Sequence, residues 1–490
     1  MRASGIILHI SSLPSPYGIG TLGKAAYNFV DFLKKSGQKY WQVLPIGPTG
    51  YGNSPYQSFS VFAGNPYFID LELLCECSLL AKEECTSIDW STTDDCVNFE
   101  QLFKHRIDLL KKAYCRDVSF NQEKKSKFIE QNSWVEAYAL FMALKEKYNL
   151  ACWNSWDEDI KHRKPEAVGK YRLELSGEVD FWVYTQYLFY SQWKKLKAYA
   201  NENGIKIIGD APIYVALDSA DAWSNSEMLY FDENKNPIEV AGCPPDAFST
   251  EGQLWGNPLY RWDYLKITGF DWWIKRISVL SQLVDVIRID HFRGMESYYA
   301  IPASEKNAVN GRWRNGPGLE LFSAIKNSLG NIEIIAEDLG FLTEDVHKLR
   351  NQSGFPGMKV MQFAFAPFQN SDYLPHNHIK NCVVYTGTHD NDTARGWLES
   401  APREQVEFAK KYLNIRDTAN FNWDLIRSAW SSVAELSIAQ MQDFLNLGSQ
   451  ARMNTPSTSE NNWVWRLKQQ QLTDELALKI YEITKLYSRA

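Results

Sequence analysis

The sequence predicts an α/β fold: a closed (β/α)8 TIM barrel with a helical inserted subdomain and a loop-rich inserted subdomain at the C-terminal face. Three observations carry that prediction. Short, almost continuous apolar runs recur along the chain, the pattern of parallel strands covered on both faces. Amphipathic helical patterns separate them. The spacing from run to run, 26 residues from 332 to 358 and 24 from 358 to 382, suits a barrel whose eight units average ~31 residues each. A doubly wound open sheet shares this rhythm and stands as the alternative.

The predicted strands lie at 5–10, 41–45, 205–209, 284–289, 332–336, 358–363 and 382–386. Helices are expected at 24–35, stopped by Gly37, and at 319–329, stopped by Gly330. Another is expected at 343–352, opened by a capping Thr343 and stopped by Gly354. Two stretches are too long for simple crossovers. The first holds helical patterns at 99–113 and 128–150. The second, from 219 to 271, is rich in Pro, Gly, Asn and Asp, and loops of that length usually form lids or binding loops. The expected division is therefore barrel 1–72, helical insertion 73–178, barrel 179–217, loop-rich insertion 218–275 and barrel 276–490.

Composition excludes several classes. The chain has 490 residues, 44% hydrophobic and 23% charged, the make-up of a soluble globular protein. Its 52 Lys+Arg against 59 Asp+Glu leave a net charge of −7, which argues against a nucleic-acid partner. No apolar run approaches the ~20 residues of a membrane span. Residues 1–14 make a poor signal peptide, because His9 breaks their apolar run. Eight Cys are scattered without CxxC or metal-ligand spacing. Reduced thiols, a cytoplasmic location and no metal follow as expectations. Aromatics reach 14%, with 18 Trp and 25 Tyr; those the core does not absorb are candidates for a sugar-stacking surface.

Four apolar runs end in an acid: Asp210, Asp290, Glu337 and Asp390. A single such acid is most simply a helix or loop cap. Four at equivalent places converge on one mouth of a parallel barrel, and capping does not require that regularity. Arg288 and Asp290, two apart on a strand, point the same way, so the guanidinium would hold Asp290 ionised as a nucleophile must be. Glu337 ends an aliphatic run, where burial raises a carboxyl toward the range of a general acid. Two carboxyls so divided suit glycoside cleavage, one attacking the anomeric carbon and the other protonating the leaving oxygen. Asp390 would stabilise the oxocarbenium-like charge or fix sugar hydroxyls. His291 and His389, each beside one of these acids, are candidate partners for those hydroxyls. The same acids allow a rival reading, a Mg²⁺-holding lyase with a Lys or His base. Arg288 beside Asp290 speaks against a cation there, and no inward Lys ends a strand convincingly, with Lys359 in the 358–363 run the one to watch.

Aromatic loops supply the other half of a sugar site. Tyr51-Gly52-Asn53-Ser54-Pro55-Tyr56 follows the second strand, and Trp255 and Asn257 sit in Gly252-Gln253-Leu254-Trp255-Gly256-Asn257-Pro258. Pyranose C–H faces pack on such rings.

At these residues the chain resembles the amylomaltase, or 4-alpha-glucanotransferase, family of the glycoside hydrolases (family 77). The resemblance runs nearly end to end. Its blocks include His9-Ile10-Ser11-Ser12-Leu13-Pro14, Gly209-Asp210-Ala211-Pro212-Ile213-Tyr214-Val215 and Arg288-Ile289-Asp290-His291-Phe292-Arg293-Gly294. They continue with Ala336-Glu337-Asp338-Leu339-Gly340, Thr386-Gly387-Thr388-His389-Asp390-Asn391-Asp392-Thr393 and Gly448-Ser449-Gln450-Ala451-Arg452-Met453-Asn454. It implies Asp290 as nucleophile, Glu337 as acid/base and Asp390 as transition-state stabiliser. Arg288, His389, Asp210 and His291 would form the donor-sugar pocket. Tyr56 and Trp255 would be aromatic subsites, with Ser54 and Asn257 as further substrate-binding residues. The implied reaction is retaining transfer of alpha-1,4-glucan segments between maltooligosaccharides through a covalent glycosyl-aspartate, without metal or organic cofactor. Departures from the family pattern fall at Phe248-Ser249-Thr250-Glu251-Gly252, Met295 and Tyr299. A hydrolase of the related alpha-amylase type and a catalytically dead glucan-binding protein are the competing classes.

Overall fold

The computed structural model describes residues 2–50, 52–90, 93–245, 249–340, 342–367, 371–458 and 460–490. Tyr51 and Phe248, singled out in the sequence, lie outside the described residues.

Eight parallel strands close into a barrel in chain order. They are β1 (Ala3–Ile7), β2 (Tyr40–Gln42), β3 (Lys206–Ala211), β4 (Val286–Ile289), β5 (Ile334–Ala336), β6 (Gly357–Val360), β7 (Cys382–Tyr385) and β8 (Leu436–Gln440). Pairing of β1 with β8, Gly5 opposite Ile438, removes the open edges that a doubly wound sheet would keep. Gly5 sits where strands crowd: a Cβ there would lie 2.5 Å from Tyr40 O. Seven strands fall on the predicted apolar runs. The run at 358–363 is shared between β6 and a 3-10 turn, Met361–Phe363. β8 escapes the sequence pattern, because Ser437 and Gln440 interrupt its apolar character. Both are nonetheless buried.

The long gap before β3 is helical as expected, although the pattern at 128–150 is not one helix. It is cut into Gln122–Gln131 and Val135–Lys147, where the Asn132 side-chain amide donates to Phe128 O at 2.9 Å. The expected cap at Thr343 is the N-cap residue of Glu344–Ser353, but its side chain makes no capping hydrogen bond. Gly354 ends that helix in the left-handed conformation, φ 75°, as a C-terminal glycine does.

The stretch expected to be loop, 219–271, holds more order than predicted. Strands Glu239–Cys243 and Gln253–Pro258 join Ser297–Pro302 and Arg312–Asn315 in a four-stranded antiparallel sheet. Gly242, Gly256 and Pro258 disguise the first pair in sequence. The second pair follows β4, so the sheet is assembled across a barrel strand.

Candidate active site

The register of β3 against β4 sets Asp210 directly opposite Arg288, and residues paired this way point to one face. Arg288 Nη1 donates to both Asp210 oxygens at 2.7 Å. Tyr56 Oη donates to Asp210 Oδ2 at 2.7 Å. Asp290, two residues beyond Arg288, accepts from the same Nη1 at 3.0 Å. The Asp290 side chain is 27% exposed and that of Asp210 is fully buried. Of the two carboxylates on Arg288, only Asp290 is therefore open to the mouth. Burial opposes the Arg288 charge, but Asp210 and Asp290 outweigh it and hold the guanidinium well above its ordinary value. Burial also raises the Asp210 carboxyl, with Arg288 working against it.

The chain turns sharply after Asp290. His291 adopts a left-handed backbone, φ 52° and ψ 47°, uncommon for a residue with a Cβ and characteristic of functional turns. The turn aims the His291 amide at Glu337 Oε2, 2.6 Å away. Leu339 N donates to Glu337 Oε1 at 3.0 Å, and Glu337 N bonds Ile289 O at 3.0 Å. Burial lifts the Glu337 carboxyl from 4.5 to about 8; Asp290 adds to the lift and Arg288 and the two amides oppose it. At neutral pH Glu337 thus holds a proton while Arg288 donates to Asp290. Burial lowers His291 to about 4, which keeps its ring neutral. Its buried Nε2 has no hydrogen-bond partner among the described residues.

Trp255 stands edge-on to His291, ring centroids 4.8 Å apart and planes at 88°. The strand Gln253–Pro258 carries it, so one role of the second sheet is to hold an indole beside the barrel mouth. Asn257 and Ser54 are both held by hydrogen bonds to protein. Asn257 Nδ2 donates to Val215 O at 2.9 Å and its Oδ1 accepts from Gln57 at 3.1 Å. Ser54 Oγ accepts from Tyr56 N at 3.3 Å. Asn257 joins the Tyr56 loop to the second sheet, and Ser54 bonds within that loop.

On the opposite wall, His389 and Asp390 follow β7. His389 stacks on Tyr56, centroids 5.0 Å apart, and its Nδ1 lies 3.4 Å from Tyr56 Oη. Its Nε2 lies 3.4 Å from Asp390 Oδ1. Asp390, His389, Tyr56, Asp210, Arg288 and Asp290 are thus joined by successive polar contacts, with Glu337 attached through His291. The four sequence-predicted acids converge. Lys359 instead lies over the Tyr373 ring, 5.2 Å from its centroid. The Arg288 guanidinium stands between Asp210 and Asp290 and donates to both.

Sequence reasoning missed Trp463 and Asn454. Trp463 packs on Tyr56 and His389 at 5.8 and 5.9 Å, and Asn454 Nδ2 donates to Asp390 Oδ1 at 2.6 Å. Both follow β8, the strand that itself escapes the pattern, so no strand-end acid points to them. The block ending at Asn454 is visible only through the family resemblance.

The family model described as 4-alpha-glucanotransferase matches residues 8–473, a span that holds β2 to β8 and all four acids. The chain belongs to the 4-alpha-glucanotransferase family. A family member from Clostridium butyricum is 53% identical over 485 residues, covering 98% of this chain and 100% of its own. The enzyme of that name from Streptococcus pneumoniae is 46% identical over 492 residues, covering 100% and 97%. Among solved structures, the amylomaltase from Streptococcus agalactiae in complex with acarbose matches with a TM-score of 0.98 and 42% identity, over 100% of both chains.

Proposed function

We propose that this chain is a 4-alpha-glucanotransferase that moves segments of alpha-1,4-glucan between maltooligosaccharides by retaining double displacement. The observation that carries the residue roles is the division between two neighbouring acids: Asp290 paired with Arg288 and open to the mouth, Glu337 raised to about 8. Asp290 attacks the anomeric carbon as Glu337 gives its proton to the leaving glycosidic oxygen. A glycosyl-Asp290 ester forms and the reducing-end fragment departs. The 4-hydroxyl of a second glucan then attacks the ester, Glu337 takes up the hydroxyl proton, and the carboxylate of Asp290 leaves. Two inversions give net retention. Asp390 stabilises the oxocarbenium-like charge, Asp210, Arg288 and His389 fix the donor sugar beside His291, and Tyr56 and Trp255 offer stacking faces. Ser54 and Asn257 act on substrate through the loops they shape.

In this reading the barrel comprises 1–72, 179–217 and 276–490, with insertions at 73–178 and 218–275; the helix Ser176–Glu202 leads from the first insertion back to β3. A cytoplasmic location fits eight free thiols. No helix among the described residues is long and apolar enough to cross a membrane.

Incubation with maltotriose alone tests the activity. The expected products are glucose and a ladder of longer oligosaccharides at constant total reducing ends. Rising reducing ends without longer products would make the chain a hydrolase, and absence of reaction would favour the glucan-binding reading.

A further inference from the structure

Within its own segment the Asp390 carboxylate meets only the His389 ring among the described residues, Nε2 lying 3.4 Å from Oδ1. Asp390 lies five residues beyond the last residue of β7, Tyr385, and its side chain is 45% exposed. A transition-state stabiliser so placed needs help, because electrostatic stabilisation works only when the charge is already aimed at the reacting centre. The loop after β8 supplies it. Asn454 N donates to His389 O at 3.1 Å, and Asn454 Nδ2 donates to Asp390 Oδ1 at 2.6 Å. Arg452 Nη2 donates to Asp390 O, while its Nε donates to Asn454 O at 2.8 Å. The segment 452–454 thus grips His389 and Asp390 by two backbone contacts and one carboxylate contact. Trp463 N donates to Met453 O at 2.6 Å, which folds the same loop back so that the Trp463 ring reaches Tyr56 and His389.

We propose that Asn454 is the positioning residue for Asp390. By occupying Oδ1, its amide fixes the carboxylate plane and leaves Oδ2 for the sugar, and Arg452 sets the distance between the two segments. An amide is well suited to this, because it donates to an anion without carrying charge that would compete with the oxocarbenium-like centre. The inference rests on the role given to Asp390 above and adds a residue whose action passes through it.

A double-mutant cycle with maltotriose, read as kcat and KM separately, tests it. Asn454→Ala is expected to lower kcat by about 10- to 100-fold, the usual weight of a hydrogen bond to a charged group, with KM within about twofold and an unchanged melting temperature. In an Asp390→Asn background the same substitution should cost less than about threefold, since the carboxylate it positions is gone. An equal loss in both backgrounds, or a kcat within threefold of the parent for Asn454→Ala alone, would overturn the proposal. If Asp390→Asn itself keeps near-parental kcat, the role of Asp390 fails, and that result is read from the single variant alone. Asn454→Asp keeps size and backbone contacts in case the alanine variant folds poorly. It sets a second carboxyl against Asp390, so its deficit relative to the parent should shrink as pH falls and the new group becomes a donor. A deficit independent of pH would contradict the inference.

Discussion

Asp290 and Glu337 each stand one residue past the end of adjacent strands, β4 and β5, yet meet different surroundings. Asp290 takes the Arg288 guanidinium at 3.0 Å; Glu337 takes two backbone amides in a desolvated pocket. Replacing Asp290 by Asn keeps shape and removes the nucleophile, so transfer from maltotriose should fall by at least about 10³-fold while sugar binding persists. Activity within tenfold of the parent would refute the assignment. Glu337 sets the alkaline limb. Its folded-state value of about 8 means that the acid form is populated below pH 8 and lost above it, so kcat/KM for natural glucans should decline as pH rises through that value. In Glu337→Gln this limb should vanish with donors whose leaving group needs no proton. The same shift predicts a stability effect. A carboxyl raised from 4.5 to about 8 on folding binds more protons folded than unfolded, so it costs stability as pH climbs through that window. Glu337→Gln should therefore melt higher than the parent at pH 8.5 and nearly equal to it at pH 5. An equal melting difference at both pH values would contradict the burial of this group.

At the level of elements, the second sheet matters because it carries Trp255 and anchors the Tyr56 loop. Asn257 is its tie, with its amide shared between Val215 O and Gln57. Asn257→Ala leaves a buried carbonyl unpaired, a loss of roughly 1–3 kcal/mol, and frees the Tyr56 loop. The expected outcome is a lower melting temperature together with a raised KM for maltotriose. A raised KM without destabilisation would mean that Asn257 touches sugar directly. This sheet also marks where sequence reading stops. Strands β1 to β7 are legible because each falls on a near-continuous apolar run, and the acids after four of those runs, Asp210, Asp290, Glu337 and Asp390, stand out against it. β8 is not, because Ser437 and Gln440 are polar side chains facing a packed interior. The strands Glu239–Cys243 and Gln253–Pro258 are built around Gly242 and Gly256, and Glu239–Cys243 also pairs with Ser297–Pro302 beyond β4, so no local period reveals them. Asn454 and Trp463 escape for the same reason: long-range pairing places them.

For the whole molecule, closure of the barrel brings acids from β3, β4, β5 and the segment after β7 to one mouth, so its integrity and the chemistry are linked. The seal lies at the opposite end. Arg489, fully buried, donates to Trp430 O at 2.7 Å, Ala3 O at 2.9 Å, Ser432 O at 3.0 Å and Ala434 O at 2.9 Å, stitching β1 to the approach to β8. Arg489→Ala should lower the melting temperature by about 2–5 °C, following the loss of several carbonyl contacts, while kcat at 25 °C stays within twofold. A kcat loss without a thermal shift would show that this end of the barrel communicates with the mouth. The most direct test of the two-carboxylate mechanism is to treat Glu337→Gln with alpha-maltotriosyl fluoride, whose fluoride departs without an acid, and to measure intact mass and then peptide masses. A maltotriosyl adduct should accumulate on Asp290, because the amide at 337 cannot activate the incoming hydroxyl. Rapid turnover with no adduct, or an adduct on any other residue, would contradict the mechanism.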